Sequence, residues 1–258
     1  MIFYRNKCLH LTFSLFFLLL SSNVWAGSNI SAICMIDMDM STFSYDGITL
    51  NDVETGISAG NGNIVRIGIL AHNVVNLYGY EIRLKYNSEK LQFIRGIEGD
   101  PSKGLNNILK KEDGAEISWM PPTVIIPGTV SISNSLKGTP SESIAPEGSG
   151  ILAIIEFKLL SNRPDNGIMI SNAQFVDVQG AGDNQQADNI THLFHGMINP
   201  IGDVDGNGML QLTDAINILK ILSNIYEGNV KLASGDIVNN DKIDLKDAIS
   251  LIKHISMY

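Results

Sequence analysis

Residues 77–99 read LYGYEIRLKYNSEKLQFIRGIEG and hold two runs of alternating apolar and polar residues on either side of a turn. Side chains of a β-strand point to opposite faces of the sheet in turn. The first run therefore directs Tyr80 and Ile82 toward a core. Glu81 and Arg83 fall on the opposite face, which meets solvent or a partner. This alternation predicts two sheet strands joined by a short turn.

Similar runs recur between residues 49 and 198, separated by turn residues at fairly regular intervals. We expect strands at residues 64–70, 79–86, 91–97, 116–120, 129–134, 151–160, 167–177 and 191–198. Many short strands with this spacing are typical of a β-sandwich. Residues 151–157 are apolar throughout, as in a central strand covered on both faces. Prolines bracket residues 123–126, which favours an edge strand or a connection there.

The segment at residues 202–215, GDVDGNGMLQLTDA, places oxygen-bearing groups at the spacing of a calcium loop. Such a loop takes ligands from positions 1, 3, 5, 7, 9 and 12, with glycine at position 6. Counted from the first aspartate, the predicted ligands are Asp203, Asp205, Asn207, the Met209 carbonyl, Gln211 and Asp214, with Gly208 at the turn. Hard oxygens suit Ca²⁺. The alternative is a turn without metal, since Asn, Asp and Gly also favour turns.

The pattern returns 33 residues later, at residues 235–248, as GDIVNNDKIDLKDA. Its predicted ligands are Asp236, Asn240, the Lys242 carbonyl, Asp244 and Asp247. Val238 stands at position 3 and Asp241 at position 6, so we expect weaker calcium binding in this copy. A helix is predicted after each loop. Their apolar stripes, 215, 216, 219 and 222 in one helix and 248, 249, 252 and 255 in the other, are expected to pack together.

This duplicated arrangement of loop and helix resembles a dockerin, the small calcium module that plugs into cohesin receptors. The resemblance covers residues 202–257, and we assign residues 199–258 to a dockerin-like module. It implies that Ca²⁺ organises each loop and that the helix faces bind the partner. Loop positions 10 and 11 then contribute to partner choice, and in this chain they hold Leu212, Thr213, Leu245 and Lys246.

Residues 77–99, together with GSGILAIIEFKLL at residues 148–160 and FVDVQG at 175–180, resemble a cohesin, the nine-stranded jelly-roll receptor for dockerins. The resemblance implies a jelly-roll β-sandwich over residues 49–198, so the whole chain is mainly β with a small α module. It also implies that a dockerin lands on a flat sheet face that includes Glu81 and Arg83. The alternative is that both are ordinary exposed charges.

The N-terminus has the pattern of a secretory signal, which we assign to residues 1–26. Arg5 and Lys7 precede an apolar run at residues 11–20, and Ala26 supplies the small residue at the cleavage point. A retained membrane anchor is the alternative, although the run is short for an ordinary span. We therefore expect a secreted protein, extracellular or at the cell surface.

Residues 27–48 are polar and rich in Met, and we expect them to form a flexible leader. Signal cleavage would leave Cys34 as the single cysteine, so no intramolecular disulfide is expected. Residues 196–201 are expected to join the two modules as a short linker.

The composition excludes some partners. The chain has 27 acidic and 18 basic residues and a formal net charge of −9. Phosphate backbones and anionic membrane surfaces would be repelled by that charge. We therefore expect no nucleic-acid partner.

Three functions are compatible with the sequence. The first is a non-catalytic adaptor that binds cohesin- and dockerin-bearing proteins in a calcium-dependent way, with self-association between chains as one form.

The second is a carbohydrate-binding module. Sugar-binding faces usually need exposed aromatic residues, and Trp119 and Tyr78 are the candidates. The third is a glycoside hydrolase, which needs two carboxylates flanking a cleft. The histidines show no spacing typical of metal ligands or of a nucleophile's partner, so we expect no enzyme.

Overall fold

The structure is a computed structural model that describes residues 28–40, 53, 56–161, 166–184, 187–225, 232–238, 240 and 242–256. The predicted signal peptide at residues 1–26 lies outside the described residues, as does Asp241 of the second loop. The strands are β1 Ile33–Asp37, β2 Gly56–Ala59, β3 Ile64–Val74, β4 Leu77–Tyr86, β5 Leu91–Ile97, β6 Ile117–Ile126, β7 Thr129–Leu136, β8 Gly148–Leu159, β9 Asn166–Asp177, β10 Asp188–Asn189, β11 His192–Phe194 and β12 Gly196–Pro200.

Helical structure is concentrated after the strands. The α-helices are α1 Leu212–Leu222, α2 Leu232–Gly235 and α3 Leu245–Ile255, with 3₁₀ turns at Pro101–Lys103 and Ile108–Lys110 and a π-helical turn at Gly180–Asn184. None of the helices in the described part of the chain combines the length and the apolar character that crossing a bilayer requires.

The strands form two sheets that enclose one main core. The first sheet has the order β11-β1-β3-β8-β5, and the second has the order β2-β12-β9-β4-β7-β6, with β10 added beside β9. Neighbouring strands are antiparallel except at the β1–β11 and β12–β2 pairs, which are parallel. The expectation of a mainly β, sandwich-like fold is confirmed.

Strand β4 shows the alternation that its sequence predicts. Tyr80, Ile82 and Leu84 are buried in the main core. Tyr86 packs edge-on against Phe157 of the other sheet, with ring centroids 4.9 Å apart. Each large apolar side chain buried in this way contributes about 1.5–3 kcal/mol. The other face of β4 is left free for polar groups.

Two further strand predictions are confirmed. Strand β8 lies between β3 and β5, and Ile151 and Ile154 are buried on its outer face, in a small cluster with Met35 and Leu70. It is therefore covered on both faces. Strand β6 is an edge strand that pairs with β7, and its register shifts between Met120 and Thr123, where two prolines remove ladder donors.

Residues 28–40 do not form part of a flexible leader, as predicted for residues 27–48, because they include a strand of the sandwich. Strand β1 lies inside the first sheet, between β3 and β11, and Cys34 is fully buried. Its neighbours Met35 and Ile36 are buried on opposite faces, because the strand is covered on both sides. A strand covered on both sides needs no polar alternation, which is why the pattern did not reveal it. The sandwich therefore begins before residue 49.

The linker predicted at residues 196–201 is also different. Residues 196–200 are strand β12, which pairs with both β2 and β9. The strand predicted at residues 191–198 is divided between the two sheets, because β11 and β12 belong to different sheets. The C-terminal module therefore continues directly from a sandwich strand.

The helices α1 and α3 pack together, but through a face that differs from the prediction. The shared core holds Ala215 and Ile218 from α1 and Ala248 and Leu251 from α3, with Val204 from the first loop. Several residues of the predicted stripes are exposed instead: Ile216, Leu219, Leu222, Ile249 and Ile252. Each helix has apolar residues on more than one face, and helical periodicity does not show which face is covered.

Candidate functional site

The first candidate metal loop begins where strand β12 ends. The Asp203 backbone N–H donates to the Pro200 carbonyl (3.1 Å), which turns the chain out of the sheet. The Asp203 carboxylate then accepts hydrogen bonds from the N–H groups of Asn207 (3.0 Å) and Gly208 (2.9 Å). Gly208 has φ +83°, a left-handed conformation that favours glycine. The glycine predicted at loop position 6 therefore makes the turn that brings these donors to the carboxylate.

Asp214 closes the same loop from the first turn of α1. Its carboxylate accepts hydrogen bonds from the N–H groups of Val204 (2.9 Å), Asp205 (3.2 Å) and Gln211 (2.9 Å). Its side chain is fully buried, as is that of Asp203. The helix therefore cannot form in this position without holding the loop against it.

Three carboxylates converge inside this loop. The ligand oxygens of Asp203, Asp205 and Asp214 all lie within 4.8 Å of one another. Burial raises the pKa of Asp203 and of Asp214, and nearby carboxylates add to the rise in both. A bound divalent cation would remove these penalties, because it supplies the opposite charge where water is excluded.

The remaining predicted ligands of this loop stand beside the carboxylates. The Asn207 side-chain oxygen accepts the Met209 N–H (2.8 Å), and Gln211 is the N-cap residue of α1. The donor set is made entirely of hard oxygens, which Ca²⁺ prefers. The residues present therefore fit the predicted ion.

The second loop repeats the hydrogen bonds of the first. Asp247 accepts the N–H groups of Ile237 (2.8 Å), Val238 (3.0 Å) and Asp244 (2.7 Å), as Asp214 does in the first copy. Asp236 accepts the Asn240 N–H (3.0 Å), as Asp203 accepts that of Asn207. The duplication predicted from sequence therefore extends to individual hydrogen bonds.

The second loop offers a poorer set of ligands. Val238 occupies the place of Asp205 and is 40% exposed. One oxygen of Asp244 accepts the Lys246 N–H (2.7 Å) at the start of α3. The Lys242 N–H donates to the Asn240 side chain (3.1 Å), which holds the chain in the expected turn. The loop shape is kept, but the carboxylate at loop position 3 is lost, and Asp244 stands where the first loop has Gln211.

The outer faces of α1 and α3 carry matching rows of exposed apolar residues, which we call the helix ridge. Its members are 39–59% exposed: Leu212, Ile216 and Leu219 in α1, and Leu245, Ile249 and Ile252 in α3. Thr213 and Lys246 are exposed beside the ridge. The four residues predicted at loop positions 10 and 11 are therefore all exposed.

The outer face of the seven-stranded sheet is a second exposed surface, which we call the sheet face. Cross-strand register places Glu81 between Ser133 and Gln174, and Arg83 between Ser131 and Asn172. The Arg83 guanidinium donates to the Glu81 carboxylate at 2.7 and 3.0 Å. The predicted pair of partner residues therefore lies at the centre of this face, bound to each other.

Strand β7 gives the sheet face a low central strip. Its partly exposed outward side chains all carry small hydroxyl groups: Ser131, Ser133 and Ser135. Met120 on β6 and Met169 on β9 rise on either side and are about half exposed.

The candidate aromatic residues do not form a sugar platform. Trp119 and Tyr78 both pack against the main core. The Tyr78 hydroxyl also donates to the Gly138 carbonyl (3.0 Å). Both side chains are only partly exposed.

The family profile of the Cohesin domain matches residues 51–193, more than half of the 258 residues. This match agrees with the fold, in which two packed sheets form a β-sandwich. The chain belongs to the cohesin family. The match ends before the two loops, which lie beyond residue 193. No match is found among curated proteins.

Three solved cohesin structures match this chain at low sequence identity. A type II cohesin domain from the cellulosome of Acetivibrio cellulolyticus has 18% identity and a TM-score of 0.44, covering 65% of this chain and 94% of its own. The sixth cohesin of scaffoldin B from the same organism, crystallised with a Cel5 dockerin mutant, has 14% identity and a TM-score of 0.42, covering 66% and 98%. A non-cellulosomal cohesin from Archaeoglobus fulgidus has 10% identity and a TM-score of 0.39, covering 65% and 88%.

Proposed function

We propose that this chain is an exported, non-catalytic adaptor whose sandwich and C-terminal module each bind a complementary module on another protein. Membership of the cohesin family supports the first half of this proposal. The observation that carries the second half is the convergence of Asp203, Asp205 and Asp214 in a loop whose hydrogen bonds recur in a second copy.

The C-terminal module is proposed to be a dockerin-like calcium module. Ca²⁺ would be held by the oxygens of the first loop, where it neutralises buried carboxylates and fixes the start of α1. The second loop has a valine in place of one carboxylate, so its affinity is expected to be lower. Metal binding and folding are coupled in sites of this kind, because the ligands converge only in the folded chain.

The helix ridge is the proposed docking surface of that module. Exposed apolar patches bordered by polar residues mark protein-binding sites. Leu212 and Leu245 hold equivalent places at the start of their helices, and Thr213 and Lys246 differ beside them. These four residues would contribute to partner choice.

The sheet face is the proposed docking surface of the sandwich for a dockerin-bearing partner. Glu81 and Arg83 would meet that partner from the centre of β4, and the strip of hydroxyl side chains would let it approach the sheet closely. Polysaccharide would be reached through the partners, since Trp119 and Tyr78 are occupied in the core. The adaptor would act outside the cell or at its surface, after cleavage of the signal at residues 1–26.

The test is a pull-down of the full mature chain against panels of purified cohesin and dockerin modules, in calcium and in excess chelator. The proposal expects capture of at least one module of each kind, and loss of cohesin capture in chelator. Asp214→Asn is expected to weaken cohesin capture more than the matched Asp247→Asn, because only Asp214 closes the complete ligand set.

Two control assays separate the alternatives. An adaptor stays in the supernatant with insoluble polysaccharide, whereas a carbohydrate-binding module would sediment with it. Reducing sugar released from a polysaccharide panel would show a hydrolase and contradict the proposal. So would failure to capture any cohesin or dockerin module when calcium binding itself is intact.

A further inference from the structure

The described charges of the C-terminal module are divided between two places. All of the described carboxylates after Pro200 belong to the loops: Asp203, Asp205, Asp214, Asp236, Asp244 and Asp247. The helices instead expose amino groups at Lys220, Lys246 and Lys253, and Lys242 is the one described lysine that lies in one of these loops. The module is therefore acidic where it would bind metal and basic where its helices face solvent.

These lysines border the helix ridge. Lys220 lies one helical turn after Ile216, and Lys253 lies one turn after Ile249, so each is on the same side of its helix as the ridge. Lys246 directly follows Leu245 at the start of α3. Apart from these amino groups, the described outer faces of the two helices show apolar and hydroxyl side chains. A calcium ion in the first loop would offset part of the carboxylate charge there, while the lysines remain the charged groups that border the ridge.

The sheet face of the same chain is not acidic, so it does not complement the lysines of the helix ridge. Arg83 and Lys85 are exposed on β4, one row apart. Glu81 is the one carboxylate among the described outward residues of β4, β6, β7 and β9, and Arg83 already binds it at 2.7 Å. On a second copy of this chain the ridge lysines would thus meet Lys85 and the Arg83–Glu81 pair, which together carry one net positive charge. Like charges brought together across an interface reject a partner.

We infer that the helix ridge binds an acidic surface on a different protein, in which an apolar patch is bordered by Asp or Glu, and that it does not bind the sheet face of a second copy. This inference rests on the proposed docking function of the C-terminal module. Burial of the apolar ridge residues supplies affinity. The lysines provide selectivity, because they favour an acidic surface over other surfaces of similar shape. The chain then links unlike proteins and does not form filaments of itself.

The test uses full-length mature chains in calcium, with sedimentation velocity as the readout of self-association. The wild-type chain is expected to stay monomeric across the concentration range. The double variant Arg83→Glu, Lys85→Glu carries an acidic sheet face and is expected to self-associate at least about tenfold more tightly. Adding Lys220→Glu, Lys246→Glu and Lys253→Glu to that variant is expected to restore the monomer, as is chelation.

A matched control places the same charge elsewhere. Lys158→Glu alters an exposed residue of β8, in the other sheet, and is expected to leave the chain monomeric. Wild-type self-association in calcium that the three Lys→Glu changes abolish would overturn the inference, since a second copy would then be the partner. A monomeric Arg83→Glu, Lys85→Glu chain would overturn it as well. Failure of the proposed function would appear separately, as absent calcium binding by the wild-type sample in equilibrium dialysis.

Discussion

Calcium removal is expected to unfold the C-terminal module and leave the sandwich folded. The loops and the helices α1 and α3 depend on each other, because Asp214 and Asp247 hold each loop against the first turn of its helix. The sandwich has its own core of buried residues from both sheets. An excess of chelator should therefore separate the two parts of the chain.

The size of the effect follows from the buried carboxylates. Two unit charges 4.8 Å apart repel by about 3.5 kcal/mol at an effective dielectric constant of about 20. The oxygens of Asp203 and Asp214 lie within that distance, and both side chains are fully buried. Backbone N–H groups offset part of this repulsion. A core as small as that of the C-terminal module rarely supplies more than about 3–5 kcal/mol, so the repulsion alone is comparable with its whole stability. Calcium at 100 times its dissociation constant would add about 2.7 kcal/mol.

Two signals report the two parts independently. The far-ultraviolet helical signal comes mainly from α1 and α3, because the described residues before them are largely strands. Cys34 reports the sandwich, since its thiol is fully buried and burial raises its pKa. In chelator the helical signal should fall while Cys34 stays unreactive toward a thiol reagent. Denaturant provides the control in which both signals change.

One result would refute this reasoning. If the helical circular dichroism stayed unchanged in excess chelator, the loops would not need a metal ion to fold, and the buried carboxylates would be accommodated by their hydrogen bonds alone. Rapid reaction of Cys34 in chelator would instead show that the sandwich depends on the module.

Three further outcomes are expected. Asp203→Ala should weaken calcium binding at least about tenfold more than Asp236→Ala, because the first loop is the one where three carboxylates converge among the described residues; calorimetry giving the reverse order would contradict this. Leu251→Ala should cost about 2–5 kcal/mol in thermal melts of the module, since Leu251 is 1% exposed. Its neighbour Ile252 is 43% exposed, so Ile252→Ala should change stability by less than about 0.5 kcal/mol, and an equal loss would show that the helix packing is misassigned. Although burial opposes it, hydrogen bonds from the N-terminal segment and the following turn hold the pKa of Asp177 below its usual range. The ionised Asp177 therefore stabilises the fold above its unfolded pKa, and this stabilisation is lost as the pH falls through its folded pKa. The melting temperatures of wild type and Asp177→Asn should differ at neutral pH and coincide in strong acid. A difference that does not change with pH would contradict this.

Much of the sandwich could be predicted because its strands alternate. Strand β5 was predicted to the residue, and β4 only two residues short, since one face of each is polar. Strand β1 was missed because it is apolar on both faces, and burial on both sides leaves no period-two signal. Residues 33–37 form a strand because they pair with β11, which lies far along the chain.

The loops were predictable for a different reason. Calcium ligands are fixed by spacing within one short segment, so Asp203 and Asp214 could be assigned without knowing the fold. The helix faces could not be assigned in this way. Ile216 and Ile218 are equally apolar, yet one is exposed and the other buried, and only the packing of α1 on α3 separates them.

The amino-acid sequence by itself determined the local features of this protein: alternating strands, two loops of hard oxygens and a helix after each, because each depends on neighbours within a few residues. The tertiary structure decided which apolar residues are core and which form the helix ridge. It also placed the face of β4 that carries Glu81, Arg83 and Lys85 beside the hydroxyl side chains of β7. Those outcomes depend on contacts between segments distant in sequence, where the choice is made by packing and charge in three dimensions.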